Sequence, residues 1–156
     1  MAALTDIAEN KLIDWLFRGQ AFGLNGASAA AGSGPTSLYI GLFTTTPTDS
    51  SAGVEVSGGS YARVAVVSSL ANWAGTQGAG TTVASSGTGG TTSNNNPVTF
   101  PAPSANWGVI TGVGIFDASA GGNLVAYAAL TPNKTVNNAD PAPYFPAASL
   151  SFQIDN

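Results

Sequence analysis

The sequence predicts a mainly β protein, an antiparallel β-sandwich or jelly-roll-like module preceded by one N-terminal amphipathic helix and an extended arm. Three observations predict it. Apolar residues alternate with period two in several short segments, only one segment has helical periodicity, and the nine prolines lie mostly between strands. The 156 residues are long enough for one domain of this kind.

The helix is predicted within residues 1–20, from the segment LTDIAENKLIDWLFR. Asp6 followed three residues later by Glu9 is typical of a capping box, and Gly19 after Arg18 is typical of a helix stop. Apolar residues recur in this segment at helical spacing, which predicts a helix that docks on another protein. The candidate docking residues are Leu12, Trp15, Leu16 and Phe17.

A linker and then a β-sandwich domain are expected after the helix. Residues 21–36 have small, uncharged side chains, which is typical of a flexible arm. Residues 37–156 contain the period-two segments SLYIGLFT, YARVAVV, VITGVGIFD, NLVAYAAL and LSFQI, with short additional strands at 98–100 and 134–136. The turn ASAGG between the third and fourth segments predicts a hairpin.

A long loop at 75–96 does not fit a compact sandwich. It consists almost entirely of Gly, Ser, Thr and Asn, which cannot build a core. Loops of this length are usually functional or disordered. Its neutral polar side chains could hydrogen-bond on a neighbouring subunit.

The charge content favours an assembly component over an enzyme that diffuses alone. Charged residues make up 8% of the chain against about 25% in typical domains, and Gly, Ser and Thr together make up about a third. Neutral surface is easier to bury against another subunit than ions are. We therefore expect the chain to associate with itself, as a homotrimer closed by three-fold symmetry.

Two classes of partner are not expected. The basic residues are few and scattered, so the sequence shows no cluster of positive charge that could bind the phosphates of a nucleic acid. They are Lys11, Arg18, Arg63 and Lys134. The N-terminus carries Asp6 and Glu9 where a secretory signal needs positive charge, and no apolar run reaches membrane-spanning length. We expect no membrane contact and synthesis in the cytoplasm.

The sequence has few of the residue types that catalysis usually needs. We expect no enzyme activity and no catalytic, cofactor or metal site. The chain has no His and no Cys, so the usual general base, thiol nucleophile and imidazole ligand are absent. A carboxylate pair for glycoside hydrolysis is the alternative. Its members would come from Asp49, Glu55, Asp117 and Asp140. Because Asp in turns caps backbone amides, a structural role is favoured for these residues.

Two further interpretations concern single side chains. Glu55 and Arg63 flank the glycines of EVSGGSYAR, and we expect them to form a structural ion pair beside a turn. Trp73 is a possible receptor contact, because an exposed ring there could stack on a host-surface glycan. Burial in a core or interface is the favoured interpretation, because aromatic side chains dominate both kinds of burial.

The motifs ENKLIDWLFRG, LYIGLFTTTPTD, EVSGGSYAR and GIFDASAGGNL resemble those of small tailed-bacteriophage proteins of the tail fibre or virion structural class. The resemblance covers about half of the chain, in the same order. It implies a non-enzymatic virion component, assembled in the bacterial host, that docks on other virion proteins and needs no cofactor. A capsid decoration or cement protein and a glycan-binding receptor module are the alternatives.

Overall fold

The computed structural model describes residues 4–23 and 34–154. Within these residues the chain forms α1 (Asp6–Arg18), β1 (Ser37–Thr45), β2 (Val54–Glu55), β3 (Val64–Val67), β4 (Thr91–Ser93), β5 (Val98–Thr99), β6 (Gly108–Phe116), β7 (Leu124–Val136), β8 (Tyr144–Phe145) and β9 (Ser151–Gln153). The predicted class, mainly β with antiparallel strands and one N-terminal helix, is confirmed. Most of the predicted arm at 21–36 lies outside the described residues.

The helix begins differently from the sequence prediction and ends where the sequence predicts. Thr5 is the N-cap, with an extended backbone and no side-chain capping bond, so the predicted capping box is wrong and Asp6 is the first helical residue. Its carboxylate and that of Glu9 lie in the first turn, where they complement the helix dipole. Gly19 ends the helix with φ of 66°, as predicted, because glycine adopts this left-handed conformation without a Cβ clash.

The described chain divides into two compact units, and this division differs from the predicted one. The first unit combines the described part of residues 1–37 with 67–97 and 145–154. The second unit consists of 38–66 and 98–144. The helix thus shares a unit with the 75–96 loop and the last strand, and the predicted single domain at 37–156 is split between the two units.

The second unit is built on a five-stranded antiparallel sheet. Its order is β2-β1-β6-β7, and β3 also pairs with β1. The predicted hairpin forms β6 and β7, and the short strand expected at 134–136 is the end of β7. Gly41 of β1 lies opposite Gly114 of β6. A Cβ at Gly114 would lie 2.6 Å from the ring of Phe43, which stacks on Phe116 at 5.8 Å, so glycine makes room for these two rings.

The first unit has a small aromatic core and a two-stranded sheet. Phe17 of α1 packs against Trp73 at 4.8 Å and against Phe152 of β9 at 4.9 Å between ring centroids. β9 pairs with β4 in antiparallel register. β4 lies inside the 75–96 segment, so the segment predicted as a loop contributes a strand to this unit.

Candidate functional site

The side of α1 that packs into the first unit is mostly polar. Glu9, Asn10, Asp14 and Arg18 are all buried, and only two apolar side chains, Ile13 and Phe17, are buried with them. A surface helix normally packs its apolar stripe inward and leaves its charged side in water. In α1 the orientation is reversed.

Arg18 is the centre of this polar interior. Its guanidinium is fully buried and binds the Asp14 carboxylate at 2.6 Å (Nη1 to Oδ1). It also donates to the carbonyl oxygens of Trp73 and Val83, at 3.0 and 2.6 Å, and to the Ser85 hydroxyl at 3.1 Å. Because a buried charge is tolerated only when it is paired and hydrogen-bonded, this set of contacts satisfies Arg18 and fixes the 75–96 segment against α1.

Four more hydrogen bonds, two at Asp14 and two at Asn10, fasten the same segment to the helix. Ser85 donates to Asp14 through its backbone N–H and its hydroxyl, at 2.9 and 2.6 Å. The side chain of Asn10 donates to the carbonyl oxygen of Gly87 at 3.0 Å and accepts a hydrogen bond from the Thr76 hydroxyl. The polar side chains of this segment therefore bind the chain's own helix, where the sequence had suggested a neighbouring subunit.

The first turn of α1, the residue before its N-cap and part of its surface leave apolar groups exposed. Leu4 and Ile7 are 49% and 66% exposed. Leu12, Trp15 and Leu16 are half-buried, and Trp15 meets Phe22 edge to face at 6.4 Å. We call Leu4, Ile7, Leu12 and Trp15 the outer face of α1. Leu4 precedes the helix, and the other three residues lie within it.

Phe17 does not belong to this outer face. Its side chain has no exposed surface and lies in the aromatic core of the first unit. A buried ring cannot contact a docking partner, so Phe17 is removed from the predicted docking set. The sequence prediction included Phe17 among the docking residues because helical spacing does not show which side of a helix faces inward.

Trp73 is buried as well, with 1% of its surface exposed. Its ring packs on Phe17 and its carbonyl oxygen accepts from Arg18. No face of the indole is open for a sugar ring, so we withdraw Trp73 as a receptor contact in favour of the core alternative. Among the other aromatic side chains, Tyr127 and Tyr144 are exposed, at 40% and 62%.

Glu55 and Arg63 form the expected ion pair in the second unit. Arg63 donates to both oxygens of Glu55, at 2.8 Å from Nε and 2.7 Å from Nη2. Its Nη1 donates to the carbonyl oxygens of Ala118 and Gly121 in the β6–β7 turn, each at 2.8 Å. The guanidinium carbon lies 3.3 Å from the centroid of the Phe116 ring, a cation–π contact.

Tyr61 belongs to the same cluster and supplies a hydrogen-bond acceptor for a backbone N–H of β1. Its hydroxyl donates to Glu55 at 2.9 Å and accepts from the backbone N–H of Leu42 at 2.8 Å. Burial raises the pKa of Tyr61 well above its ordinary value, and the neighbouring Glu55 carboxylate raises it further. Burial also raises the pKa of Glu55, but the hydrogen bonds from Arg63 and Tyr61 outweigh it, and the net pKa is lowered. The motif EVSGGSYAR thus connects β1, β2, β6 and the β6–β7 turn.

The four carboxylates considered for glycoside hydrolysis each have a structural hydrogen bond. Besides Glu55, Asp117 accepts from the backbone and side chain of Asn123, at 2.7 Å each. The backbone N–H of Asn137 donates to Asp140 at 2.7 Å, and the Tyr127 hydroxyl donates to Asp49 at 2.9 Å. Asp117 and Asp140 accordingly cap turn amides, the role that Asp in turns commonly takes.

Neither a metal cluster nor a membrane span is found in the part of the chain that the structure describes. Within 4–23 and 34–154, no three acidic side chains come together as metal ligands. Over the same residues, no helix is long and apolar enough to cross a bilayer.

Comparison with known families decides what kind of protein carries these features. Residues 3–153 match the model of the family Podophage GP4 fiber I protein gp80. The chain belongs to this podophage fibre family. The match spans nearly the whole sequence, so it includes both units, and it confirms the resemblance to phage tail fibre and virion structural proteins. No match was found among curated proteins.

The match makes this fibre-family protein a component of a podophage virion. Sequence reasoning identified part of the outer face of α1, through Leu12 and Trp15. It missed Leu4 and Ile7, the most exposed apolar residues of this face. The spacing of Asn10, Asp14 and Arg18 at i, i+4 was the available signal, because three polar residues in one row can hydrogen-bond inward together.

Proposed function

We propose that this protein is a non-enzymatic structural subunit of the podophage particle, assembled in the host cytoplasm, that docks on another virion protein through the outer face of α1. The single observation that carries the proposal is the reversed orientation of the helix. Three of its charged side chains, Glu9, Asp14 and Arg18, are buried in the first unit, while Leu4 and Ile7 are left in water. Exposed apolar patches of this kind mark protein contact sites.

The expected partner is an apolar surface on another virion protein. The outer face offers two aliphatic side chains at its most exposed point and a half-buried Trp15, a residue type that is enriched in interface hot spots. Exposed Lys11 lies within this face, one turn after Ile7 and one turn before Trp15. A partner surface that covers the face therefore also has to accommodate one cation.

The test replaces the apolar outer face without touching the polar interior. Phage particles assembled with an Ile7→Ser, Leu12→Ser variant should contain much less of this protein than wild-type particles, measured by quantitative gel analysis of purified virions. Lys11→Ser is the matched control, on the same side of the same helix, and should incorporate normally. Full incorporation of the double variant, with the fold intact by circular dichroism, would refute docking through α1.

Self-association is the second part of the proposal. The neutral surface and the fibre family support it, and three copies are the number expected from the sequence. The mass of the purified full-length protein in solution measures this number directly against the 15.4 kDa chain.

Capsid decoration is the alternative position in the particle. Counting copies per virion separates the two positions, since a decoration protein follows the many-fold capsid lattice and a fibre follows the symmetry of the tail. We propose the tail position, which the family's fibre description supports.

A further inference from the structure

Residues 83–87, which we call the strap, follow one polar row of α1 in register. Successive contacts advance by two residues along the strap and by four residues back along the helix. The contacting pairs are Val83 with Arg18, Ser85 with Asp14, and Gly87 with Asn10. Four residues of a helix rise about 6 Å and two residues of an extended chain span about 6.6 Å, so the two spacings match. The strap therefore runs antiparallel to α1 and is bonded to it about once per helical turn.

The strap has little apolar contact of its own to hold it in place. None of its five residues is buried, and the side chain of Val83 is 62% exposed. Within the described residues, the hydrogen bonds that the strap makes outside the 75–96 segment end on α1. Because apolar burial contributes so little here, the position of the strap depends on the helix.

The helix in turn depends on the strap. α1 has 13 residues and its N-cap Thr5 makes no side-chain hydrogen bond, and isolated helices of this length are marginal in water. The large apolar side chains that it buries are Ile13 and Phe17. Without the strap, the buried Asp14 and Arg18 lose four hydrogen bonds that help to offset the cost of burying their charges. Each element therefore stabilises the other.

We propose that α1 and the strap open and close as one cooperative element, and that docking through the outer face of α1 holds both of them closed. This inference rests on the docking in the proposed function and concerns its regulation. Proteins open locally in such cooperative units, and units with few buried apolar contacts open most easily. The strap thus controls docking from the inner side of the helix, and Ser85 at its centre is a positioning residue.

Docking distinguishes the closed state from the open one because the outer face needs a formed helix. Ile7 and Trp15 are eight residues apart, which in a helix places them about 80° apart around the axis and about 12 Å apart along it. An α1 that has left the strap is a marginal helix and loses this spacing. A partner that binds the closed state better shifts the population towards it, and this coupling is reciprocal. Docking therefore slows the opening of the strap as well.

The first test compares two serine substitutions in the free, full-length protein. Ser85→Ala removes the hydroxyl that bonds Asp14 and Arg18, while the matched control Ser86→Ala removes an exposed hydroxyl that bonds Gln77. Amide hydrogen exchange, measured by NMR, reports the opening of each element. We expect Ser85→Ala to speed exchange in α1 by about tenfold or more, because the lost bonds go to charged groups. Ser86→Ala should change it by no more than about twofold.

The pattern of the change separates cooperative opening from local fraying. Cooperative opening raises exchange in α1 and in the strap by the same factor in Ser85→Ala, and leaves β6 of the second unit unchanged. Faster exchange that is confined to the strap, with α1 as slow as in wild type, would overturn the inference.

A second measurement uses the wild-type protein and does not depend on how a variant folds. Hydrogen–deuterium exchange read by mass spectrometry compares purified particles with the free protein. We expect slower exchange in both α1 and the strap of the particle-bound protein. Slower exchange in α1 with an unchanged strap overturns the inference and leaves docking standing. Unchanged exchange in α1 overturns docking itself, and with it the regulation of docking by the strap.

Direct cover of the strap by a neighbouring subunit would also slow its exchange, and a thiol at position 83 separates this case. The chain has no cysteine, so Val83→Cys introduces the only thiol, on an exposed side chain whose backbone carbonyl still bonds Arg18. If the strap is held through α1, this thiol should react with a maleimide as fast in particles as in the free protein. A thiol that is shielded in particles overturns the inference.

Discussion

The two units each contain an arginine–carboxylate ion pair, and they differ in how deeply that pair is buried. The first unit places the charged pair Asp14–Arg18 deep inside, with the guanidinium fully buried and bonded to the backbone of a distant segment. The second unit keeps its pair Glu55–Arg63 at a partly exposed corner beside the Phe116 ring. The difference shows that a polar helix side can serve as the interior when a glycine-rich segment supplies its partners, while apolar side chains such as Ile7 stay exposed.

The largest expected effect comes from breaking the buried pair. Arg18→Ala leaves the Asp14 carboxylate buried without its cation and frees the carbonyl oxygens of Trp73 and Val83. We expect a loss of about 3–5 kcal/mol in the free energy of unfolding, measured by urea denaturation. Lys11→Ala, on the exposed side of the same helix, should change it by no more than about 0.5 kcal/mol. Equal effects of the two substitutions would contradict the polar interior.

The double variant Asp14→Leu, Arg18→Met sharpens this prediction. Removing both charges leaves no uncompensated ion, so it should be less destabilising than Arg18→Ala alone. A double variant that loses the sum of the two single effects would show that the pair is not coupled.

A smaller effect is expected in the second unit. Arg63→Ala removes the bidentate contact to Glu55 and the two bonds to the β6–β7 turn. We expect about 2 kcal/mol, less than for Arg18, because water can reach Glu55 once Arg63 is gone. The same denaturation series measures it, and Lys134→Ala on the exposed strand β7 serves as the matched control. A cost above that of Arg18→Ala would reverse the comparison.

The smallest effect depends on pH and concerns Tyr61. The pKa of this residue is raised in the folded state above its ordinary value of 10.0. Its protonated hydroxyl therefore stabilises the fold fully below pH 10, and this contribution is lost as the pH rises beyond 10 towards the folded pKa. Tyr61→Phe should cost about 1 kcal/mol at pH 7, and the difference from wild type should shrink above pH 10. A difference that stays constant to pH 11 would count against the Tyr61–Glu55–Leu42 contacts.

The sequence predicted the second unit better than the first. Alternating residues in β1, β6 and β7 predicted these strands and the hairpin, because period two marks a strand directly. The isolated charges of EVSGGSYAR predicted the Glu55–Arg63 pair, since two opposite charges beside a turn in a nearly uncharged chain have few other partners. These predictions depend on residues that are close together in the sequence.

The first unit depends on contacts between distant segments, and local patterns do not encode them. The helix has a polar row and an apolar row, and no spacing rule shows which row faces inward. That choice is made by Val83, Ser85 and Gly87, which lie about 70 positions away and supply hydrogen bonds to α1. The polar sequence TTS of β4 has no apolar alternation, so its pairing with β9 was missed. Burial of Trp73 follows from the same distant packing.

The contacts of Arg18 and Asn10 have a consequence for how the 75–96 segment can change over time. Three of the bonds that fasten this segment and its approach to α1 end on main-chain oxygen atoms, those of Trp73, Val83 and Gly87. Every amino acid supplies the same carbonyl group, so drift in side-chain identity along most of the segment leaves these bonds intact. What must be preserved is the path of the backbone, the hydroxyl groups of Thr76 and Ser85, and the glycine at position 87, where a Cβ would lie 2.1 Å from the carbonyl oxygen of Thr76. Exposed side chains of this segment can therefore vary while the hydrogen bonds from Arg18 to main-chain oxygen atoms hold the backbone in place.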